Sequence, residues 1–441
     1  MNDAAPTSHG APTPADTGIA ALPSPLVART VAVDPGSLPA DLLRLLPASG
    51  GMSWVRRGDG LVAWGEVARV RTDGTTRFAD AERAWQVAMA HAVVRDEVQL
   101  PGTGLVAFGS FAFSASSPAG GALVVPAVVV GRRGETAWLT TITAAGVPAA
   151  TEHLLEVEQD PRSPGALETA DGALDADGWR AAVSRAVAAI RSGGVDKVVL
   201  ARDVVVTTSE PLDRRWLLRR LSAEYSSCWT FSVDGLVGAT PELLVRSEKG
   251  LVTSRVLAGT IRRTGDDDAD MARAAILAHS SKDLEEHEYA VASLTKELEP
   301  FCSSTNVPET PFVLHLPNVL HLATDVTGVL ADHERHVTSL ALAQALHPTA
   351  AVAGTPTPDA VALIEELEQM DRGRYAGPVG WLGADGDGEW GIGLRSAELD
   401  PHDPHRIRLF AGCGIVAASS PDAELAESEA KLEPMRYALG S

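Results

Sequence analysis

Residues 409–435 read LFAGCGIVAASSPDAELAESEAKLEPM, and this stretch predicts a strand, a glycine-containing turn and a C-terminal helix. The pair Ser420-Pro421 is a typical helix start, with serine at the N-cap and proline at the first helical position. Within the helix, Glu424, Glu427 and Lys431 are spaced by three and then four residues. That spacing places the three side chains on one face.

The acidic face of this helix has two interpretations. Two carboxylates one turn apart can hold a hard divalent cation such as Mg²⁺. The same spacing is more commonly that of a solvent-exposed face with salt bridges, and spacing alone favours this. A second acidic segment, SKDLEEHEYAV at 281–291, is equally ambiguous. Its helical periodicity places Glu288 nearer the apolar face than Glu286, which makes Glu288 the expected half-buried acid.

The segment AGCGIVA at 411–417 fits the pattern G-x-G-x-x-A and follows a predicted strand. Too few residues remain after it for the βαβ unit of a dinucleotide site. The two glycines, Gly412 and Gly414, have a simpler use, because their backbone N–H groups can approach an anion closely.

The composition is that of a folded globular protein, with 441 residues, 45% hydrophobic and 22% charged. No run approaches the roughly 18 apolar residues of a membrane span. The formal net charge of −21 argues against nucleic-acid binding, and it requires local cations or N–H groups if the substrate is an anion. Cys228, Cys302 and Cys413 match no disulfide or zinc spacing, so we expect reduced thiols and a cytoplasmic protein.

Further out along the chain, residues 1–25 are rich in Ala, Pro, Thr and Ser and predict a disordered leader. Residues 28–155 read as short strands, with a hairpin around Arg132–Gly134. Residues 156–177 carry Pro, Gly and acids without periodicity and read as a linker or a long surface connection.

The C-terminal part, residues 177–441, alternates irregularly between helices and strands, which predicts an α+β fold rather than a doubly wound parallel sheet. The predicted helices are 178–192, 211–224, 269–299 and 421–439, and the predicted strands are 197–206, 229–237, 242–246, 251–258, 376–383, 388–399 and 405–411.

Lys197 opens the predicted strand KVVLAR, whose alternation places Lys197, Val199 and Ala201 on one face. A lysine in this position either extends its ammonium group to solvent, which is the commoner outcome, or is held in a pocket. In a pocket it could act as a base, because loss of hydration favours the neutral amine.

Ten ordered motifs together resemble the chorismate-utilising enzymes, a family that includes isochorismate, salicylate, anthranilate and aminodeoxychorismate synthases. The motifs cover roughly residues 177–441 and are KVVLAR (197–202), GATPELLVR (238–246), LAGTIRR (257–263), SKDLEEHEYAV (281–291), VLHLATDVTG (319–328), LHPTAAVAGTP (346–356), RYAGPVGW (374–381), GEWGIGLRSAEL (388–399), LFAGCGIVAASSP (409–421) and AELAESEAKLEPM (423–435). The resemblance implies one large chorismate-binding fold of mostly antiparallel sheets flanked by helices.

The resemblance also implies roles for individual residues. Mg²⁺ would be held by Glu286 and Glu427 with Glu424 close by, so the family pattern replaces Glu288 by Glu286. The carboxylates and ring of chorismate would be contacted by Gly259, Thr260, His321, Thr349, Tyr375, Arg395, Gly412, Gly414 and Lys431. In this scheme Lys431 is a substrate contact rather than an ion-pair partner. Ala350 stands where many relatives have proline, next to Thr349.

The subgroup depends on the nucleophile, because family members that add water carry the KVVLAR-type lysine and those that add an amine lack it. Lys197 is then the general base at C2 and Glu242 the general acid at C4. The motifs LHPTAAVAGTP, YAGPVGW and GEW resemble isochorismate synthase, an isomerase, more than salicylate synthase, which remains the alternative. We expect a monomer without an amidotransferase partner. The sequence leaves open whether the product serves menaquinone or siderophore synthesis.

Overall fold

A computed structural model describes residues 25–147, 155–157, 159–331 and 337–440. The leader predicted over residues 1–25 therefore lies outside the described residues, except for Pro25. The side chains of Lys282 and Glu286 also lie outside the described part, although both residues belong to a helix. None of the described helices is both long and apolar enough to cross a membrane.

The described residues form helices and strands that alternate irregularly along the chain. The helices are α1 Arg77–Ala90, α2 Ala176–Arg191, α3 Arg214–Glu224, α4 Asp267–His279, α5 Ser281–Leu298, α6 Ser339–Leu346, α7 Thr357–Glu368 and α8 Pro421–Leu439. The strands are β1 Leu26–Val33, β2 Met52–Arg56, β3 Asp59–Trp64, β4 Ala68–Thr72, β5 Val93–Asp96, β6 Val106–Phe111, β7 Gly121–Val125, β8 Val128–Arg133, β9 Thr136–Ala144, β10 Leu167–Asp171, β11 Lys197–Thr208, β12 Trp229–Val233, β13 Leu236–Thr240, β14 Leu243–Glu248, β15 Leu251–Arg262, β16 Cys302–Asn306, β17 Phe312–His315, β18 Val319–Leu330, β19 Gly354–Thr355, β20 Pro378–Gly383, β21 Gly388–Ile392, β22 Ser396–Leu399 and β23 Arg406–Ile415.

The strands build two large sheets. The first has the order β10-β11-β23-β22-β13-β12-β2-β3-β8-β9-β1-β5, with β19 paired to β11. The second has the order β16-β18-β15-β14-β21-β20-β6-β7-β4, with β17 paired to β18. Among the described strands only β1 and β5 pair in parallel. Mixed helices and antiparallel sheets confirm the predicted α+β fold. Both sheets combine early and late strands, since β2 pairs with β12 and β6 with β20.

Two long strand pairs form the frame of the fold. β11 lies antiparallel to β23 from Val198 to Thr207, and β15 lies antiparallel to β18 along its whole length. Helix α8 packs against β23, and α5 packs against β15 and β18. The functional side chains predicted on these elements are therefore carried by the two sheets and by the helices packed on them.

Local sequence signals predicted several elements correctly. Helix α2 buries Trp179, Val183, Val187 and Ile190, the apolar face expected from the periodicity. The Asp385–Gly388 turn joins β20 to β21, and the hairpin around Arg132–Gly134 joins β8 to β9. Helix α8 begins at Pro421, as predicted, although the Ser420 side chain makes no capping hydrogen bond.

The prediction of one helix over 269–299 is wrong, because the helix is interrupted at Ser280. This residue is extended (φ −72°, ψ 108°), and its hydroxyl accepts a hydrogen bond from the N–H of Asp283. Ser280 thus ends α4 and caps α5, a local arrangement that serine favours. The break gives α5 an orientation of its own beside β15.

Three further expectations need correction. The segment 229–237 is not one strand but begins a hairpin, because Asp234 and Gly235 both adopt positive φ between β12 and β13. The connection 156–177 contains β10, which pairs with β11. The strand-rich part 28–155 contains helix α1, whose buried face includes Phe78 and Trp85.

Candidate active site

A cavity of about 200 Å³ is lined by side chains and backbone from both sheets and from α8. Twelve of the fourteen residues predicted for the site line it: Lys197, Glu242, Gly259, Thr260, His321, Tyr375, Arg395, Gly412, Gly414, Glu424, Glu427 and Lys431. Of the other two, Thr349 lies behind the wall of this cavity, and the side chain of Glu286 lies outside the described residues.

Lys197 is half-buried at the start of β11 and lines the cavity together with Val199 and Ala201, the face predicted by strand alternation. The buried ion pair between Glu368 and Arg372 fixes this part of the strand. Nη2 of Arg372 donates to the carbonyl of Val199 at 2.7 Å, and the Glu368 carboxylate accepts from the N–H of Ala201 at 2.7 Å. The geometry therefore places Lys197 in a pocket on a well-anchored strand.

Glu242 lies between β13 and β14 and is only 5% exposed. Burial raises the pKa of its carboxyl group to about 8, against the opposing effects of Lys197, Lys431 and Arg395. Loss of hydration disfavours the carboxylate more than these cations favour it. Glu242 therefore holds a proton near neutral pH and can act as a general acid.

A β-bulge shapes the wall formed by β15 and β18. The register shifts between Ala258 and Thr260, and Gly259 has a φ of +78°, which suits glycine. The shift pairs Thr260 with His321, whose Nδ1 lies 2.9 Å from the threonine Oγ1. The bulge thus directs a hydroxyl group and an imidazole to the same cavity.

The hydrogen bonds of His321 define its tautomer. Nη2 of Arg395 lies 3.3 Å from Nε2 of His321, and a guanidinium group can only donate. Nε2 is therefore the acceptor, and Nδ1 carries the hydrogen. Burial, with smaller effects from Arg395 and Lys431, lowers the pKa of His321 well below its usual value, so the ring stays neutral.

Arg395 is buried and adopts a positive φ of 49°. Its Nη1 has no hydrogen-bond partner among the described residues. Tyr375, whose ring stacks on Phe410 with centroids 5.0 Å apart, places its hydroxyl near Gly412. A Cβ at Gly412 would lie 3.1 Å from that hydroxyl and 2.9 Å from the carbonyl of Leu200. These groups form a donor-rich region suited to an anion.

The two glycines of β23 present backbone groups beside this region. Gly412 and Gly414 face Ala201 and Val199, whose backbone groups bond to Glu368 and Arg372 rather than to β23. These are therefore the non-hydrogen-bonded pairs of the ladder, and the N–H groups of both glycines point away from β11. The predicted backbone contribution to an anion site is consistent with this direction.

The acidic face of α8 forms a potential metal site. Oxygens of Glu424 and Glu427 and the Sγ of Cys413 all lie within 4.8 Å of one another. Both glutamates are half-buried and line the cavity. Carboxylate oxygens suit a hard cation such as Mg²⁺, so the donor set fits the predicted ion.

Lys431 is an ion-pair partner, contrary to the expectation that it only contacts substrate. Its Nζ lies 2.6 Å from Oε1 of Glu427 and donates to the carbonyl of Gly412 at 2.9 Å. Burial lowers the pKa of Lys431, but the neighbouring Glu427 carboxylate contributes to an overall rise. The i,i+4 spacing of the two residues explains the contact, and Lys431 still lines the cavity.

Sequence reasoning missed two charged residues in the cavity wall, Asp283 and Arg372. Asp283 lies in the first turn of α5, within the segment already identified as acidic. Glu288, which periodicity alone favoured, is exposed, whereas its neighbour His287 is buried and bonds to Thr324 at 2.7 Å. The periodicity-based expectation of a half-buried Glu288 is therefore wrong, while the role of Glu286, whose side chain lies outside the described part, stays a prediction.

Comparison with known proteins places the chain in a family. The chorismate binding enzyme family matches residues 52–440. The chain belongs to the chorismate-binding enzyme family. This match begins well before residue 177, where the resemblance carried by the motifs begins.

Individual relatives have isochorismate synthase in their names. The chain is 40% identical to isochorismate synthase DhbC of Bacillus subtilis over 273 residues, covering 59% of this chain and 67% of the relative. It is 35% identical to the salicylate biosynthesis isochorismate synthase of Pseudomonas aeruginosa over 407 residues, covering 86% and 82%. The solved structure of MenF, the menaquinone-specific isochorismate synthase of Escherichia coli, superposes with a TM-score of 0.78 at 25% identity, covering 96% of each chain.

Proposed function

We propose that this enzyme is an isochorismate synthase, which converts chorismate to isochorismate with Mg²⁺ by adding water at C2 and removing the hydroxyl group at C4. One observation carries the proposal. A lysine and a carboxyl group with a pKa of about 8 line the same cavity, and the two are close enough for Lys197 to lower the pKa of Glu242. A base and an acid acting on opposite ends of a conjugated diene suit this exchange of hydroxyl groups.

Lys197 and Glu242 each transfer one proton in the proposed reaction. Lys197 takes a proton from water as the water oxygen bonds to C2. The ring double bonds shift, the C4–O bond breaks, and the Glu242 proton passes to the departing oxygen, which leaves as water. The reaction consumes one water and releases one, so the enzyme is restored when a proton returns from Lys197 to Glu242.

The two substrate carboxylates need separate partners. The unsatisfied Nη1 of Arg395 and the hydroxyl of Tyr375 would hold the enolpyruvyl carboxylate, with N–H groups of Gly412 and Gly414 nearby. Lys431, whose Nζ donates to the carbonyl of Gly412, would approach the ring carboxylate. Gly259, Thr260 and His321 would line the remaining wall.

Magnesium would be held by Glu427 and Glu424 together with Glu286 from α5, whose backbone lies on the helix that packs against β15. When bound, the ion would neutralise this acidic face and withdraw electrons through the ring carboxylate. Lys431 would then exchange its contact with Glu427 for one with substrate, which reconciles the ion pair with the predicted role.

The alternative is a salicylate synthase, which would go on to eliminate pyruvate. Incubating the purified chain with chorismate and Mg²⁺ and separating the products by liquid chromatography distinguishes the two. Isochorismate as the accumulating product supports the proposal, and salicylate with pyruvate would replace it by the alternative. If turnover required glutamine and an added amidotransferase, the assignment to the water-adding group would be wrong.

The partner and location predictions belong to the same proposal. We expect a cytoplasmic monomer that acts without an amidotransferase. Light scattering during gel filtration of the full chain would give its mass directly. A mass of one chain supports this expectation, and a stable dimer contradicts it.

A further inference from the structure

Three cavities follow one another from the candidate active site to the protein surface. Glu242 lines both the substrate cavity and a second cavity of about 10 Å³. Thr349 and Ala290 line this second cavity and also a third one of about 490 Å³ between α5, α6 and α7. The third cavity reaches the surface, because Ser293 and Glu297 in its wall are exposed.

The second cavity has the size of a site for one water molecule, and its mostly apolar wall carries the Glu242 carboxyl group and the Thr349 hydroxyl. A volume of about 10 Å³ corresponds to roughly one water probe. The Oγ1 of Thr349 is buried and has no hydrogen-bond partner among the described residues. Other polar groups in the wall are committed elsewhere, since the Ser254 hydroxyl donates to the carbonyl of Leu244 at 2.7 Å and Arg255 pairs with Asp325.

The position of Thr349 therefore differs from the one that the family resemblance implied. The residue does not line the substrate cavity but stands behind Glu242, between the buried acid and the surface cavity. Its loop is held in place by hydrogen bonds from the N–H groups of Val352 and Ala353 to the Thr349 carbonyl, at 3.1 and 3.0 Å. A buried hydroxyl that lacks a partner within the described part of the chain can bind a water molecule at this point.

We propose that Thr349 and the small cavity beside it form a rear water route, through which the water released at Glu242 leaves. The inference rests on the proposed function. In each forward turnover Glu242 gives its proton to the departing C4 oxygen, so the new water molecule forms next to this carboxylate. A water molecule between Glu242 and Thr349 Oγ1 links that position to the surface without passing the bound substrate.

Alanine at position 290 keeps the route open. Ala290 is buried on α5 and lines both the second and the third cavity. A larger side chain here would occupy the space of the single water molecule while leaving every cavity-lining residue of the substrate site unchanged. Ala290→Val is therefore the closing variant, and Thr349→Val removes the hydroxyl at nearly constant shape.

Isotope exchange at equilibrium tests the route. The enzyme is placed in a chorismate–isochorismate mixture at equilibrium, with ¹⁸O in the C4 hydroxyl of chorismate and deuterium on a carbon of the ring. Deuterium transfer into isochorismate measures interconversion, and ¹⁸O loss from the chorismate pool measures escape of the released water. If water escapes in every turnover, the two rates are nearly equal.

We expect a ratio of ¹⁸O loss to interconversion near one for the unchanged chain and below about one half for Ala290→Val, because trapped water returns to C4. Thr349→Val should lower kcat about five- to tenfold, the effect of one lost hydrogen bond, with KM unchanged. Thr349→Ser, which keeps the hydroxyl, should have the kcat of the unchanged chain.

The ratio compares two events within the same active molecules, so partial unfolding of a variant cannot change it. An unchanged ratio in Ala290→Val, with kcat of Thr349→Val equal to that of the unchanged chain, would overturn the route and leave the proposed function intact. Absence of any deuterium transfer would instead refute the proposed function.

Discussion

Replacing Glu242 by glutamine should abolish turnover and stabilise the fold at the same time. Glu242 is almost completely buried, and burial raises its pKa from the usual 4.5 to about 8. The folded chain holds this proton over a pH range in which the unfolded chain has released it. The free energy of unfolding contributed by this site therefore falls as the pH rises from about 4.5 to 8, and it is level above that.

The size of the effect follows from the two pKa values. A pH of 7 lies about 2.5 units above the pKa of the carboxyl group in the unfolded chain, and each unit corresponds to about 1.36 kcal/mol. The buried carboxyl group thus costs about 3 kcal/mol of stability at pH 7. A glutamine of similar shape has no proton to retain, so Glu242→Gln should gain up to about 3 kcal/mol at pH 7 and almost nothing near pH 4.5.

Urea unfolding of both proteins at pH 5, 6 and 7 measures this difference, and the chorismate assay at pH 7 measures the loss of the acid. We expect kcat to fall by about 10²- to 10⁴-fold, the range for a general acid. Glu285→Gln makes the same charge change at an exposed position of α5 and controls for the total charge. A stability gain that does not grow with pH would refute the burial argument, and a Glu242→Gln enzyme with full activity would refute the acid assignment.

Three further substitutions test the surrounding structure. Lys197→Ala should fold normally, since Lys197 is half-buried at a strand end, yet lose about 10²-fold or more in kcat; wild-type turnover would exclude it as the base. Glu427→Gln should raise the Mg²⁺ concentration for half-maximal activity about tenfold, as expected for a lost charge-assisted contact; an unchanged requirement would contradict a metal role. Arg374→Ala removes one of the two arginine partners of Asp234, while Arg69 stays paired with it, and should cost about 1 to 2 kcal/mol of unfolding free energy in urea titrations, with kcat per folded molecule unchanged; stability within about 0.5 kcal/mol of the original would show that the pair contributes little.

Elements with strong local signals could be predicted from the sequence, and those set by tertiary contacts could not. Pro421 and the Asp385–Gly388 turn act through backbone conformations that neighbouring residues determine. Helix α1 was missed although Phe78, Ala81, Trp85 and Ala88 have helical spacing, so its signal was present. The break at Ser280 was missed although serine favours the N-cap position, because residues on both sides favour helix and only the conformation of Ser280 separates α4 from α5.

The properties of the site also divide into those that the sequence could predict and those that it could not. The ordered motifs brought together residues from distant elements, which no spacing argument could have joined, and the described geometry places most of them around one cavity. Thr349 was misplaced because a motif gives order along the chain but not the side of a wall on which a residue lies. The Glu427–Lys431 pair was visible as i,i+4 spacing and was set aside. The raised pKa of Glu242 depends on burial by two sheets, which the sequence around PELL does not reveal.

The protonated state of Glu242 also helps an acidic chain to bind a dianion. With a formal net charge of −21, the chain must bind two carboxylates in a cavity whose cations Lys197, Arg395 and Lys431 offset the acidic face of α8. Ionisation of Glu242 above pH 8 would remove the acid and add a buried negative charge beside the substrate, so KM should rise while kcat falls. Glu242→Gln separates the two effects, because the amide stays neutral. The dissociation constant of chorismate from this variant, measured by calorimetry, should stay constant from pH 7 to 9, whereas the KM of the unchanged chain should rise. A parallel rise in both proteins would mean that another group controls binding in this range.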